Sequence, residues 1–429
     1  MNPKQFNNII TPKEDKYGLH NNLLSKMSSP RFSTPEYFHK EVTPETKITN
    51  QKSSGRCWLF AGLNLLRRHT IHELSLESTF EFSQSYLFFW DKMERMNYWT
   101  NIVEEKKNNG VKFDDRALNF IMNDPFGDGG QWSMFKNLVD KYGLVSKNAY
   151  PESHHSSNSV GVNLVLTKMF RNYVTKMYNE KPVNKEELLN KTYSILVKFF
   201  GKPPTKFNFE YKIDKTNSKN DKIIHSLLIT PKNFVEFCDI DMSKYVSIIN
   251  DPRNEYNKLY TVDILNNMEK GEVVEYLNID INRFSELTKE SIIQNKPVWF
   301  GSDVGQFHHR TSAMLDETIF NFDDYLDLNL TMTKEDRINS CDSIPSHAMV
   351  YVGYHNDINN EIDYWKIENS WGTSGAYNGY LVCSNKWFKE YTFQIIVEKC
   401  LLSSDEKTVF ETKKFNKVLP LWDPIGTLA

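Results

Sequence analysis

The sequence predicts an α+β protein. It should have a helical N-terminal part, an inserted and mainly helical region, and a C-terminal part built on an antiparallel sheet or barrel. Three observations carry that prediction. Helical patterns dominate from Cys57 to about Tyr142. Between about 155 and 295 the texture changes, and helical patterns alternate with lysine- and asparagine-rich connectors. After residue 296, apolar runs of strand length are separated by short polar turns.

The chain has 429 residues, long for one domain, which predicts a core plus a substantial insertion. Its net charge is −3, so no overall basic field recruits nucleic acid or an anionic membrane. No apolar run approaches the length needed to span a bilayer. The first thirty residues are polar and lack the apolar segment of a secretory signal. Five cysteines (57, 238, 341, 383 and 400) are odd in number, far apart and without CxxC spacing. That argues against a disulfide framework or a zinc site and for a reducing, cytoplasmic compartment.

Taken in order, residues 1–50 read as a polar N-terminal arm with short helices. The arm ends in an extended Val42-Thr43-Pro44, because a residue before proline avoids the α region. Residues 51–154 form the helical lobe. Its helix from Cys57 to about His69 is apolar around most of its circumference and should lie centrally. A second helix covers Phe82 to Arg95, and a turn-rich loop from Asp124 leads to a helix at Ser133 to about Tyr142. Residues 155–295 are the inserted region, with helices at Val162–Tyr178 and Glu186–Phe200 and a solvated connector at Lys212–Lys222. Residues 296–417 form the β lobe, with strands at Pro297–Gly301, Ala348–Tyr354, Tyr364–Glu368 and Gly379–Cys383. Residues 418–429 are an apolar, proline-punctuated C-terminal arm; Leu421, Trp422, Ile425 and Leu428 predict that it docks rather than hangs free.

Chemistry concentrates at Asn50–Ala61, where a polar, glycine-containing loop runs into the central helix with Cys57 at its start. Unpaired amides and the positive end of the helix dipole favour a thiolate there, predicting a depressed pKa and a strong nucleophile. Gln51 offers a neutral side-chain amide to a developing oxyanion, and the Cys57 backbone N–H offers a second donor. A free cysteine is more often an inert core residue, so the assignment needs a base and an orienter downstream. His347 heads one strand and Asn369 ends its neighbour, which brings both to one end of a sheet. Asn369 can fix the imidazole's tautomer and ring orientation, leaving the other nitrogen to face the thiol. Trp371 can shield that hydrogen bond from water, and Trp58 follows the nucleophile.

Gln51-x5-Cys57-Trp58, His347-Ala348 and Asn369-Ser370-Trp371-Gly372 resemble the papain-like cysteine peptidases. Within that group the chain is most similar to the bleomycin hydrolase or aminopeptidase C family. The likeness rests on NQKSSGRCWLFA (50–61), FFGKPPTKF (199–207), SHAMV (346–350) and WDPIGTLA (422–429), and so covers most of the chain. The resemblance implies a papain-like two-lobed core and a cysteine aminopeptidase acting on peptides with a free N-terminus. It also implies bleomycin-type amide hydrolysis and a homohexameric ring with inward-facing sites. Secreted papain-like enzymes carry a disulfide cysteine at the position of Ser54 and a long inhibitory propeptide, whereas only about fifty residues precede the site here; the resemblance implies that the ring can control access instead. It assigns substrate-backbone binding to Gly129 and Gly130, which read equally as a tight turn after Asp128. It places the C-terminal arm in the cleft with the Ala429 carboxylate facing the substrate's α-ammonium; packing on the core or on a neighbouring subunit is the plainer reading.

No metal or cofactor is required. His308-His309 lacks a second pair of ligands at a recognised spacing and reads as solvated loop histidines. Two other readings stay open: a papain-like endopeptidase, and a nucleic-acid-binding or scaffolding protein with an inert site, which the acidic balance disfavours.

Overall fold

A computed structural model describes residues 35–214, 222–320, 329–374 and 376–427. The short helices expected in the N-terminal arm, most of the Lys212–Lys222 connector, and Leu428 and Ala429 lie outside these residues. Residues 35–50 run extended and include β1 (Lys40–Glu41). The first helix, α1 (Cys57–Glu73), is buried almost all round, as its apolar circumference predicts. The Ser83 hydroxyl caps α2 (Gln84–Asn108) by accepting the Tyr86 N–H at 3.1 Å. That helix runs well past Arg95, the end that the sequence pattern predicts. Asp115 caps α3 (Arg116–Asn123) in the same way. The fourth helix, α4 (Trp132–Tyr142), ends at Gly143 with φ +73°, where an added Cβ would lie 2.3 Å from the Pro231 carbonyl.

The span 155–295 is less helical than expected. It holds α5 (His154–Ser157), α6 (Val160–Tyr178) and α7 (Lys185–Phe200), then the antiparallel hairpin β2 (Phe207–Asp214) and β3 (Lys222–Ile229). After α8 (Pro231–Phe237) come β4 (Tyr245–Ile249), β5 (Lys258–Val262) and β6 (Glu275–Asn278), which join the main sheet. These strands are four or five residues long, too short to show a clear period 2 against asparagine-rich surroundings.

The remainder is α9 (Ile281–Ile293), β7 (Val298–Ser302), β8 (His308–His309), β9 (Met314–Leu315), α10 (Lys334–Asn339), β10 (His347–Asn356), β11 (Ile362–Glu368), β12 (Tyr380–Ser384), α11 (Asn385–Tyr391), β13 (Thr392–Glu398), α12 (Ser404–Glu411) and β14 (Phe415–Leu419). The main sheet runs β14-β5-β6-β4-β13-β7-β10-β11-β12-β9-β8, with β1 added to β10. Its middle is antiparallel: His347 pairs with Ser302, and Val350 with Glu368.

Strand alternation divides the core. Ala348, Val350 and Val352 face the helical lobe with Trp299 and Ile396, whereas Met349 and Tyr351 face α9 and α11 with Phe300 and Phe388. Both faces of β10 are therefore buried, which explains its uninterrupted apolar run. The Trp299 indole donates to the Trp58 carbonyl at 3.2 Å, fastening α1 across the sheet.

Candidate active site

The loop before α1 is held by its own polar groups. The Ser54 hydroxyl donates to the Gln51 carbonyl (2.6 Å) and accepts from Arg56 Nε (2.8 Å). Arg56 is fully buried, pairs with Glu152 at 2.9 Å and lies over the Phe60 and Phe88 rings. The Gly55 N–H donates to Asp128 Oδ2 at 2.9 Å. These contacts deliver Cys57 to the first position of α1.

On the opposite face, His347 Nε2 lies 2.9 Å from Asn369 Oδ1, which also accepts the Ser370 N–H at 2.7 Å. The Trp371 ring sits 4.8 Å from the imidazole, centroid to centroid. The Ser370 hydroxyl donates to Gln51 Oε1 at 2.6 Å, while Gln51 Nε2 donates to the Ser54 carbonyl at 2.7 Å. One amide hydrogen of Gln51 is thus spoken for and the other remains to serve an oxyanion. Backbone bonds from Gln51 N to Ser370 O (2.8 Å) and from Gly372 N to Thr49 O (2.9 Å) lay the two loops side by side. Gly372 has φ +78°, and a Cβ there would stand 2.5 Å from Asn50 Nδ2.

Ionisation departs from expectation. Burial pushes the Cys57 thiol up to about 11, although the backbone N–H groups of Ala348, Trp58 and Cys57 itself pull the other way. Burial likewise holds His347 down to about 4, with Asn369 opposing. Desolvation of the buried thiol outweighs the amides at the helix start. Burial thus disfavours charge on the thiol and on the imidazole alike. The Ala348 amide acting on the thiol ties Cys57 to the strand that His347 heads.

Charge is held nearby in partnered groups. Asp128 accepts from Lys92 Nζ (3.0 Å), Asn163 (2.6 Å), the Ser159 hydroxyl and Gly55, and the Lys92 ammonium keeps its carboxyl well below the usual range despite burial. Its carbonyl accepts from the Trp58 indole at 2.6 Å. Next to it, the Gly129 carbonyl accepts from Arg95, and a Cβ on Gly130 would stand 2.6 Å from the Trp58 ring. Close approach to Trp58 therefore already requires a glycine at 130. Gln131 Nε2 donates to the Thr427 carbonyl at 2.8 Å, so the C-terminal arm reaches this wall. Leu421 and Ile425 are buried, whereas Trp422 is 36% exposed under the Arg116 guanidinium, and Asp423 pairs with Arg253 at 2.8 Å. Ala429 lies outside the described residues.

His308 and His309 are not solvated loop residues. They form β8, and His308 stacks on Trp371 at 6.0 Å with burial holding its pKa down to about 4. Sequence reasoning also missed Glu368, fully buried between Arg67 (2.8 Å) and Arg68. Two adjacent arginines inside an apolar helix were the available signal, since buried guanidinium groups need an anion.

The chain matches the Peptidase C1-like family over residues 2–426. It is 40% identical to Aminopeptidase C of Lactococcus lactis subsp. cremoris, covering 95% of this chain and 93% of that one. It is 36% identical to Bleomycin hydrolase of Gallus gallus, covering 92% and 89%. The solved structure of PepW from Lactobacillus rhamnosis HN001 superposes with a TM-score of 0.86 at 35% identity, covering 95% of this chain and 90% of that one. This chain therefore belongs to the Peptidase C1-like family.

Proposed function

We propose that the protein is a cysteine aminopeptidase, with Cys57 as nucleophile, His347 as base and acid, Asn369 as orienter and Gln51 as oxyanion donor. The observation that carries this reading is the His347–Asn369 bond at 2.9 Å on the strand whose Ala348 amide acts on the Cys57 thiol. With Nε2 held by Asn369, Nδ1 is left to take the thiol proton. Transfer creates thiolate and imidazolium together, so each offsets the other's burial. The thiolate attacks the scissile carbonyl, whose oxygen gathers charge between Gln51 Nε2 and the Cys57 N–H. Collapse of the adduct breaks the C–N bond, and His347 gives its proton to the leaving amine. His347 then takes a proton from water, whose oxygen attacks the thioester; the acid leaves and the thiol is restored.

The exopeptidase character rests on the arm. Its Thr427 carbonyl is fixed to Gln131 at the Gly129–Gly130 wall, two residues short of the terminal carboxylate. A carboxylate meeting the substrate ammonium at about 4 Å contributes on the order of 1–4 kcal/mol, enough to select a free N-terminus. Deleting Trp422–Ala429 should lower turnover of a free aminoacyl fluorophore and raise that of its N-acetylated peptide counterpart, with Cys57 alkylation little changed. An unchanged ratio in a folded truncation rules the carboxylate anchor out. A cytoplasmic homohexamer is the assembly that the family resemblance supports; native mass measurement tests it.

A further inference from the structure

Next to His347, Trp371 forms a partly exposed platform. Two side chains, one on β8 and one in the turn after it, lie against it. The His308 ring is nearly parallel to the indole (24°), and the exposed Arg310 has its guanidinium carbon 5.9 Å from the ring centroid. His309 Nδ1 is held by the Ser312 hydroxyl at 2.8 Å, which fixes the turn carrying Arg310. Among the described residues, the acids flanking this segment are engaged elsewhere: Asp303 accepts from Ser343 and Ser346, Asp316 from Thr318, and Glu317 pairs with Lys386. Among the described residues, the side chains whose charge acts on His308 are Arg310, His347 and His309, all cationic when protonated. The platform therefore presents an arginine without a described carboxylate partner, beside an imidazole kept neutral by burial.

We propose that Arg310, on the Trp371–His308 platform, binds a carboxylate in the leaving half of the peptide and so makes the enzyme selective for substrates that carry one. The argument rests on the aminopeptidase reading above. If His347 hands its proton to the leaving amine, the atoms beyond that nitrogen must pass over Trp371, the ring beside His347. A guanidinium on an aromatic face is suited to a planar carboxylate there. The carboxylate has two sources: an acidic side chain on the residue after the cleaved bond, or the terminal carboxylate of a dipeptide.

The test compares substrates sharing one N-terminal residue: an aminoacyl-aspartate amide, an aminoacyl-alanine with a free terminus, the matching alanine amide and a lysine amide. An aminoacyl fluorophore serves as control. The ratio of kcat/KM for a carboxylate substrate to that for the alanine amide cancels any general loss of activity. The wild-type ratio should be about 3 or more at low salt and fall as salt rises. Arg310→Ala should bring it to one, and Arg310→Glu should shift preference to the lysine amide. Preference for the aspartate amide alone assigns a side-chain carboxylate; preference for the free dipeptide alone assigns a terminal one. A ratio of one in the wild type, or a ratio untouched by Arg310→Ala, overturns the proposal. If the wild type cleaves none of these substrates, fluorophore included, while Cys57 still alkylates, the aminopeptidase reading falls, and that failure is separable because no ratio is measured.

Discussion

The start and the middle of α1 solve opposite electrostatic problems. At its start, Cys57 and His347 are buried without a charged partner, and burial disfavours the charged form of each. About ten residues further along α1, Arg68 and Arg67 meet Glu368 of β11, which is just as buried yet ionised, its carboxyl held below the usual range by the two guanidinium groups against desolvation. The difference is partnership. A lone buried titratable group gives up its charge, whereas a paired one keeps it. The reacting start resists charge until its two members share a proton, and the anchoring middle is permanently charged. One helix thus carries a reactive pair that must change state and a clasp that must not.

Four experiments probe that contrast, from the largest effect to the smallest. Cys57→Ser should keep the fold and lose nearly all turnover, because serine cannot supply the thiolate in a site that already resists charge. Turnover near the wild-type rate would remove Cys57 from its role. Next come the groups around it. Gln51→Ala should lower kcat by about 10²-fold or more and His347→Ala at least as much. Asn369→Ala should be milder, since Trp371 still packs on the imidazole. Steady-state kinetics in which Asn369→Ala is worst and Gln51→Ala silent would reverse this ordering.

At the clasp, Glu368→Gln leaves two buried guanidinium groups without their anion and should cost about 3–5 kcal/mol of stability, read from urea midpoints. A shift below about 1 kcal/mol would mean that the carboxylate is not the anchor. The smallest effect is in pH. His347 and His308 fall from near 6.5 in the unfolded chain to about 4 when folded. The unfolded state then binds more protons between those values, so stability is full above pH 6.5 and is lost as pH falls towards 4. His308→Gln should flatten part of that slope, and an unaltered pH profile would exclude His308 as a contributor.

Legibility followed how local each signal was. Cys57, Gln51, His347 and Asn369 could be singled out because each has a short pattern around it, and the strand pairing of β10 with β11 followed from apolar runs across a short turn. Ser54 and Ser370, which hold Gln51 at both ends, gave no sign, since a serine's partner depends on tertiary approach. The direction of the Cys57 shift was misjudged because helix position is local and desolvation is not. β4 to β6 escaped notice for want of length, and Glu368 read as an ordinary strand end.

Glu368, Asn369 and Ser370 are consecutive, and each reaches a different part of the molecule: the arginines of α1, His347 on β10, and Gln51 in the loop before α1. Neighbouring positions of an extended chain alternate in direction, so a single inserted or deleted residue would misdirect all three at once. A change of length here therefore disturbs more contacts at once than any single substitution does. The turn at 357–360 between the same two strands is exposed and carries none of these contacts. Length variation among descendants of this chain should therefore collect in that turn and stop short of residue 368.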